Sequence, residues 1–458
     1  MKRSLILTML LVGGCSMEPK YIQPELPVPA SWPVGDAYLV QSEAELPALS
    51  YRQLFGDPRL QSIIEQALSN NRDLRIAAAN IAAARAQVRI RRGNQLPGVD
   101  ASAGADYGTR QSGGEAASYS ANIGITGFEI DLFGRLASLT HADQDRLLAT
   151  EAAARATKLA LVSDIADTWL QLAADRSLLL IAQDSVTNAE KSVYLTRARL
   201  EGGISSRIDL RQAEQISEGA KADVASLTTA VAQDQNRLQL LVGAPVDSAA
   251  LPTAISDAAP QIAALPAGLD SRILLRRPDV VQSEYLLRAA NAEIGAARAA
   301  LFPQISLTSV AGLASSALSS LFTGGAFNWS VGGDARYSIF SGGAGRASVD
   351  QARAQRDAAL AEYEKAIQTA FREVSDALAR QGTIDAEKAA TLRQEQAAAD
   401  SYRLADARYR GGIDPFLSSL DAQRSYYNAQ RQSVAIVLTE AQSRVNLYRT
   451  LGGDPSLS

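Results

Sequence analysis

Ala198-Arg199-Leu200-Glu201-Gly202-Gly203-Ile204 returns as Ala407-Arg408-Tyr409-Arg410-Gly411-Gly412-Ile413, 209 residues further on. The echo extends outward from that pair. Arg72-Asp73-Leu74 matches Pro278-Asp279-Val280, and Leu96-Pro97 matches Phe302-Pro303, both at an offset of 206. Leu132-Phe133-Gly134 matches Ile339-Phe340-Ser341, and Asp143-Gln144 matches Asp350-Gln351, both at 207. Solenoid units repeat every 20–50 residues or so, far less than this. The chain is a duplicated half-molecule: what one half builds, the other builds again.

The stretch before Gly202 decides what is built. Leu136 to Glu201 contains no proline or glycine, and at 1.5 Å per residue it predicts a helix of roughly 100 Å. Gly202-Gly203 supplies the left-handed turn that ends it, and a second helix is predicted from about Ser206 to Val242. The other half repeats the plan with Ala347 to Arg410, a Gly411-Gly412 break, and Phe416 to Leu451. In that last helix Val434, Leu438, Ala441, Val445 and Tyr448 step 4-3-4-3, a seam for a neighbouring helix. A shorter helix, about Asn71 to Leu96, precedes the first strand. End to end, two short helices match one long one.

Between the short and long helices lie period-two runs. Val99, Ala101, Ala103, Ala105 and Tyr107 alternate with polar residues or glycine, as do Tyr119, Ala121, Ile123 and Ile125. Ile305 to Leu313 and Phe327 to Tyr337 repeat the pattern, with Val310 as an exception. Gly/Ser-rich loops join each pair, over residues 109–118 and 314–326. Ten residues with one apolar face suit an outer-membrane barrel strand; a half-buried sandwich strand is the alternative. The chain thus divides into a leader (1–14), an N-terminal extended segment that begins an equatorial belt (15–58), and a first repeat (59–242) with strands at about 98–108 and 118–131. A Pro-rich equatorial linker (243–278), a second repeat (279–451) with strands at about 304–313 and 327–340, and a tail (452–458) follow.

Composition agrees with long, closely packed helices. Of 458 residues, 47% are apolar and only 6% aromatic. The formal net charge of −4 becomes −6 when the leader takes Lys2 and Arg3 with it, which argues against a nucleic-acid partner, since that needs a basic face. The leader has a charged start and an apolar stretch, Leu5 to Val12, too short to span a bilayer. It ends at Cys15, the only cysteine. Val12-Gly13-Gly14-Cys15 resembles a bacterial lipobox, with Val in place of the usual Leu; an ordinary signal peptide with an incidental cysteine is the alternative. By that resemblance Cys15 becomes the lipidated N-terminus, and Ser16 after it suggests outer-membrane sorting.

One histidine, His141, and one cysteine allow no His/Cys metal cluster and no His-based triad. His141, on a long helix, reads as a solvated or packing residue. Gly342-Gly343-Ala344-Gly345 follows a strand and precedes a helix but lacks the Lys-Ser/Thr of a phosphate loop. Its counterpart is Phe133-Gly134-Arg135, so both read as strand-to-helix corners. No pair of carboxylates is singled out for acid–base work. The sequence points to a protein that is not an enzyme, with no cofactor and no metal.

Four strands cannot close a membrane barrel, and open edges are not tolerated in lipid. A dimer would give eight strands filled by side chains; a trimer would give twelve, wide enough to conduct. Several motifs carry a family resemblance: Tyr21-Ile22-Gln23-Pro24 with Trp32; Phe128-Glu129-Ile130-Asp131-Leu132-Phe133-Gly134-Arg135; Leu275-Arg276-Arg277-Pro278-Asp279; Ala300-Leu301-Phe302-Pro303; Tyr409-Arg410-Gly411-Gly412; Leu420-Asp421-Ala422-Gln423-Arg424; and Val445 to Gly453. With them the chain resembles the TolC-like outer-membrane factors, in the lipoprotein branch that serves resistance-nodulation-division (RND) efflux pumps.

The resemblance covers nearly the whole mature chain. It implies a mainly α fold with membrane β: a trimeric twelve-stranded outer-membrane β-barrel continued by a twelve-helix periplasmic α-barrel, each chain giving four strands and long coiled-coil helices in two structural repeats. It further implies a homotrimer in the outer membrane of a Gram-negative bacterium, anchored in its lipid through Cys15. The channel would be a passive exit duct for small toxic molecules, served by a periplasmic adaptor (membrane fusion protein) and an inner-membrane RND transporter. The family's closed periplasmic mouth maps onto Leu417 and Asp421, and its adaptor-docking tips onto Gly202, Gly203, Ile204, Gly411, Gly412 and Ile413. Three copies of Leu417 and Asp421 would make an apolar and an acidic ring; the first repeat has neutral Gln212 where the second has Asp421. Two other readings stand beside this one: the outer-membrane duct of a type I protein secretion system, and a non-conducting coiled-coil lipoprotein, against which the four alternating strands argue.

Overall fold

A computed structural model describes residues 16–33, 35, 37–38, 50–109, 115–263 and 271–457. The leader and Cys15 lie outside the described residues, as do parts of the N-terminal segment and of the 243–278 linker. The described elements run α1 (Tyr51–Leu54), α2 (Pro58–Asn70), α3 (Arg72–Gly93), β1 (Asp100–Thr109), β2 (Glu115–Ile130), α4 (Arg135–Glu201), α5 (Arg207–Val242), α6 (Ile255–Ala258), α7 (Pro278–Ala299), β3 (Gln304–Ser315), β4 (Phe327–Arg336), α8 (Ala344–Arg410) and α9 (Phe416–Leu451).

The duplication is visible in the lengths. α4 and α8 each have 67 residues, α5 and α9 each 36, and α3 and α7 each 22. α3 stops at Gly93, short of Leu96, and a turn closes there with Leu96 N donating to Gly93 O; Pro97 disfavours helix in the residue before it. In α9 the 4-3-4-3 seam is the packed face: Val434, Ala441, Val445 and Tyr448 are buried and Leu438 is half-buried. Among the described residues no helix is long and apolar enough to cross a membrane.

The four strands form one antiparallel meander in the order β1-β2-β3-β4. β4 ends at Arg336 rather than near 340. It pairs with β3, whose first residue, Gln304, faces Arg336; Pro303 just before it has no N–H to extend the ladder. A register shift interrupts β2 between Ile125 and Phe128. It is built on Gly127, whose φ of 66° is left-handed and whose N–H reaches Thr308 Oγ1 at 3.2 Å; such a bulge bends and twists the strand. β1 and β4 are exposed along their whole length, so the apolar/polar alternation of their sequences is not matched by alternating burial. They are edge strands, with a neighbour on one side only.

The chain forms two compact units. One holds the described residues of Met1–Glu25 with Ala79–Ala152 and Val281–Lys365, hence the whole sheet and the helix ends beside it. There Phe133 stacks on Phe302 at 4.6 Å, joining the strand-to-helix corner of the first repeat to the helix-to-strand corner of the second. The N-terminal segment lies on α7 as a strap: Asn291 donates to Pro19 O at 2.7 Å, Arg298 to Met17 O at 3.4 Å and Tyr21 to Glu284 at 3.3 Å. Gly295 makes room for it, because an added Cβ would meet Glu18 backbone at 2.8 Å.

The other unit, Leu26–Ala78, Ala153–Val280 and Ala366–Ser458, contains the largest buried side chains apart from Tyr363, among them Trp169, Phe55 and Leu170. Four stretches distant in sequence meet here. Phe55 bridges to Ile262, Tyr51 N donates to Asp454 Oδ2 at 2.8 Å, and the Trp169 indole donates to Ala250 O. Buried Arg277 ties the start of the second repeat to its end, donating to Thr450 O at 2.6 Å and pairing with Asp279 and Glu373.

Candidate gate and tips at the helix turns

The turns between long and short helices have one geometry. Ile204 N donates to Arg199 O at 2.8 Å and Gly203 N to Leu200 O at 3.0 Å; Ile413 N donates to Arg408 O and Gly412 N to Tyr409 O in the same way. This is the paired 6→1 and 5→2 closure of a helix C-terminus, with glycine in the left-handed position: φ is 74° at Gly203 and 73° at Gly412. The apolar residue that follows stands in the open, Ile204 at 80% exposure and Ile413 at 67%. Gly202, Gly203, Ile204, Gly411, Gly412 and Ile413 thus form two matched knuckles.

What comes next differs between the repeats. In the first, Ser206 caps α5 in a reciprocal box with Asp209, and Ser205 Oγ donates to Asp209 at 2.9 Å. Burial works against the Asp209 charge, yet hydrogen bonds from Ser206 and Ser205 hold its carboxyl below the usual range. In the second, Pro415 occupies the cap position with no side-chain cap. The turn is braced instead by Arg408, whose guanidinium forks onto Asp414 at 2.6 and 2.9 Å and lowers that carboxyl.

Leu417 and Asp421 lie one helical turn apart on the open side of α9. Leu417 is 51% exposed and Asp421 is exposed, while Phe416 and Leu420 on the other flank are buried with Tyr409 and Ala213. The first-repeat counterparts are Ile208, exposed, and Gln212, half-buried. Residue type and burial therefore both distinguish the two copies at this point.

Cross-repeat contacts hold this region, and the motifs did not reveal them. Arg199 lies over the Tyr409 ring at 4.5 Å and donates to Arg410 O. Farther along, Tyr427 donates to Asp223 Oδ2 at 2.7 Å; burial and the neighbouring carboxylate push that phenol up to about 12. Within the second repeat, Tyr402 of α8 stacks on Tyr426 of α9 at 6.0 Å. The offset of 209 could have flagged the cross-repeat positions only by pairing α4 with α8 and α5 with α9, and no pattern within any of these helices specifies that.

Two carboxyls are unusual. Burial, with the Asp175 carboxyl hydrogen-bonded beside it, pushes Asp234 up to about 7, and Asp234 Oδ2 is buried without a donor among the described residues. Burial, helped by the neighbouring Asp164 charge, pushes Asp167 up to about 6 against the pull of Arg449 and Arg237. His141 binds Glu18 of the strap, Nδ1 to Oε2 at 3.0 Å.

The outer membrane efflux protein family model matches residues 63–244 and 269–453, one match per repeat. The chain is 43% identical to the toluene efflux pump outer membrane protein TtgC of Pseudomonas putida, over 98% of this chain and 95% of the relative. Among solved structures it is similar to a membrane protein from Pseudomonas aeruginosa (TM-score 0.88, 35% identity, 96% of this chain and 100% of that one). It is also similar to the open state of the Neisseria gonorrhoeae MtrE outer membrane channel (TM-score 0.85, 34% identity, 96% and 98%). The chain therefore belongs to the outer membrane efflux protein family: it is an outer-membrane channel for efflux, with strands for the membrane and long helices for the periplasmic tunnel.

Proposed function

We propose that three copies close a twelve-stranded barrel and that the assembly is a passive exit duct opened by its partners, with no catalytic step of its own. The carrying observation is the sheet. Four strands leave β1 and β4 with one unpaired edge each, and lipid offers no hydrogen-bond partner to such an edge. In this reading Leu417 and Asp421 from three chains ring the periplasmic mouth, the acidic ring favouring cations and repelling itself. The Gly202–Ile204 and Gly411–Ile413 knuckles meet a periplasmic adaptor coupled to an inner-membrane RND transporter. Cys15 carries the lipid anchor. The cargo is small and organic; the toluene efflux named for a relative supports aromatic hydrocarbons as one class.

The repeat fixes the register of closure. Ala101 pairs with Ile123 and Leu307 with Gly333, so Ile123 and Gly333 are equivalent. Ile123 pairs with Ala311, whose counterpart 206 residues earlier is Ala105. Gly333 should therefore face Ala105 of the next copy. Oxidation of a Gly333→Cys/Ala105→Cys variant is expected to give disulfide-linked oligomers, up to a covalent trimer. Efficient linking of Gly333→Cys to Ala101→Cys instead would refute the register, and linked species no larger than a dimer would refute the three-fold closure.

A further inference from the structure

α3 and α7 hold equivalent places and have equal lengths, yet their surroundings are opposite. α7 is packed along much of its length, whereas Val88 is the sole buried residue of α3. Their charges differ as well. α3 carries six arginines and one acid, α7 two arginines and three acids.

Contacts of α7 identify what each face of α3 is for. Ala289 and Ala292 pack with Ala142 of α4, and Glu293 pairs with Arg146. At the offset of 206 these become Ala83, Ala86 and Gln87, the side of α3 that a neighbouring copy would cover. A different face of α7 carries the strap, through Asn291, Gly295 and Arg298. Its counterparts are Arg85, Arg89 and Arg92. Arg298 gives its N–H to a strap carbonyl, while Arg92, at the same station, meets no such oxygen among the described residues. Arg85 pairs with Glu151 of α4 at 2.8 Å. Among the described residues neither Arg89 nor Arg92 has an ion-pair partner, and both are exposed. Asp100, the first residue of β1, is only eight residues beyond Arg92, so this basic face lies at the foot of the membrane strands.

We propose that Arg89 and Arg92, with Arg85 beside them, bind phosphodiester headgroups of anionic phospholipid in the periplasmic leaflet. Two features favour this occupant. The face is continuous with the barrel, where phospholipid is present without recruitment. Guanidinium forks also match phosphate oxygens, whose acceptors replace those that the strap supplies on α7. The proposal rests on the periplasmic placement of the helices and on the α3 faces assigned by the repeat.

The full-length channel, reconstituted in phosphatidylethanolamine vesicles with a minor fraction of phosphatidylglycerol, provides the test. Electron spin resonance would compare spin-labelled phosphatidylglycerol and phosphatidylcholine at the protein surface. Wild type should prefer the anionic label; Arg89→Gln/Arg92→Gln should lose about fivefold in preference per arginine removed. High salt should bring wild type towards the variant, while Arg393→Gln/Arg403→Gln on α8 should leave the preference intact. Unchanged preference in the Arg89/Arg92 variant would overturn the proposal. So would trimers that fall apart with preference retained, since the face would then meet a second copy, or displacement of the label by inorganic phosphate at equal headgroup charge. Conductance is the separate control: a wild type that does not conduct fails as a channel, whatever its lipid preference.

Discussion

Asp421 and Gln212 occupy equivalent places in the two repeats, and that one difference puts a carboxylate on an exposed turn of α9 and none on α5. Such single-residue departures were legible because the repeat supplies its own reference. Buried acids were not: nothing in the letters around Asp175 and Asp234 says that α4 and α5 bring them together. Asp234 also makes a prediction. Its folded pKa, about 7, lies above the ordinary 3.8, so the folded chain holds an extra proton between those values. Stability must then fall as pH rises across that window and stay low above it. Asp234→Asn, which keeps the shape without the charge, is expected to melt higher than wild type at pH 8 and close to it at pH 4. Thermal unfolding at the two pH values checks this; a variant less stable at pH 8 would contradict it.

At the level of elements, the long helices, the glycine turns and the strand pairs were all readable, because each has a local cause: absence of breakers, left-handed glycine, period-two alternation. The early end of α3 also has a local cause, Pro97, but other departures have non-local ones. β4 ends where Pro303 across the sheet stops donating, and the β2 bulge depends on Thr308 of β3. Gly382, in the middle of α8, is a further case. From sequence it weakens a helix; in the fold an added Cβ would run into the carbonyl oxygen of Ala37 in the N-terminal segment. Gly382→Ala should therefore destabilise by about 1–3 kcal/mol despite the better helix former, and should release the segment around Ala37 to limited proteolysis. A variant as protected as wild type would show that the segment yields without cost.

For the whole molecule, duplication explains both what was legible and what was not. A sequence that repeats at 206–209 residues states that similar halves surround a common axis, and edge strands β1 and β4 state that one chain does not complete the circle. It does not state how the halves clasp each other. The Arg199–Tyr409 and Tyr427–Asp223 contacts join residues on different repeats, and no periodicity within one repeat encodes them. Nor does a sequence reveal that α3 and α7, twins by length, differ because one wears the N-terminal strap. In the proposed duct the Leu417 and Asp421 rings line the periplasmic mouth. Planar-bilayer recording of purified wild-type and Asp421→Ala assemblies at neutral pH tests it most directly. Removal of three carboxylates should weaken the cation preference and change the conductance; identical conductance and selectivity in the two proteins would contradict the account.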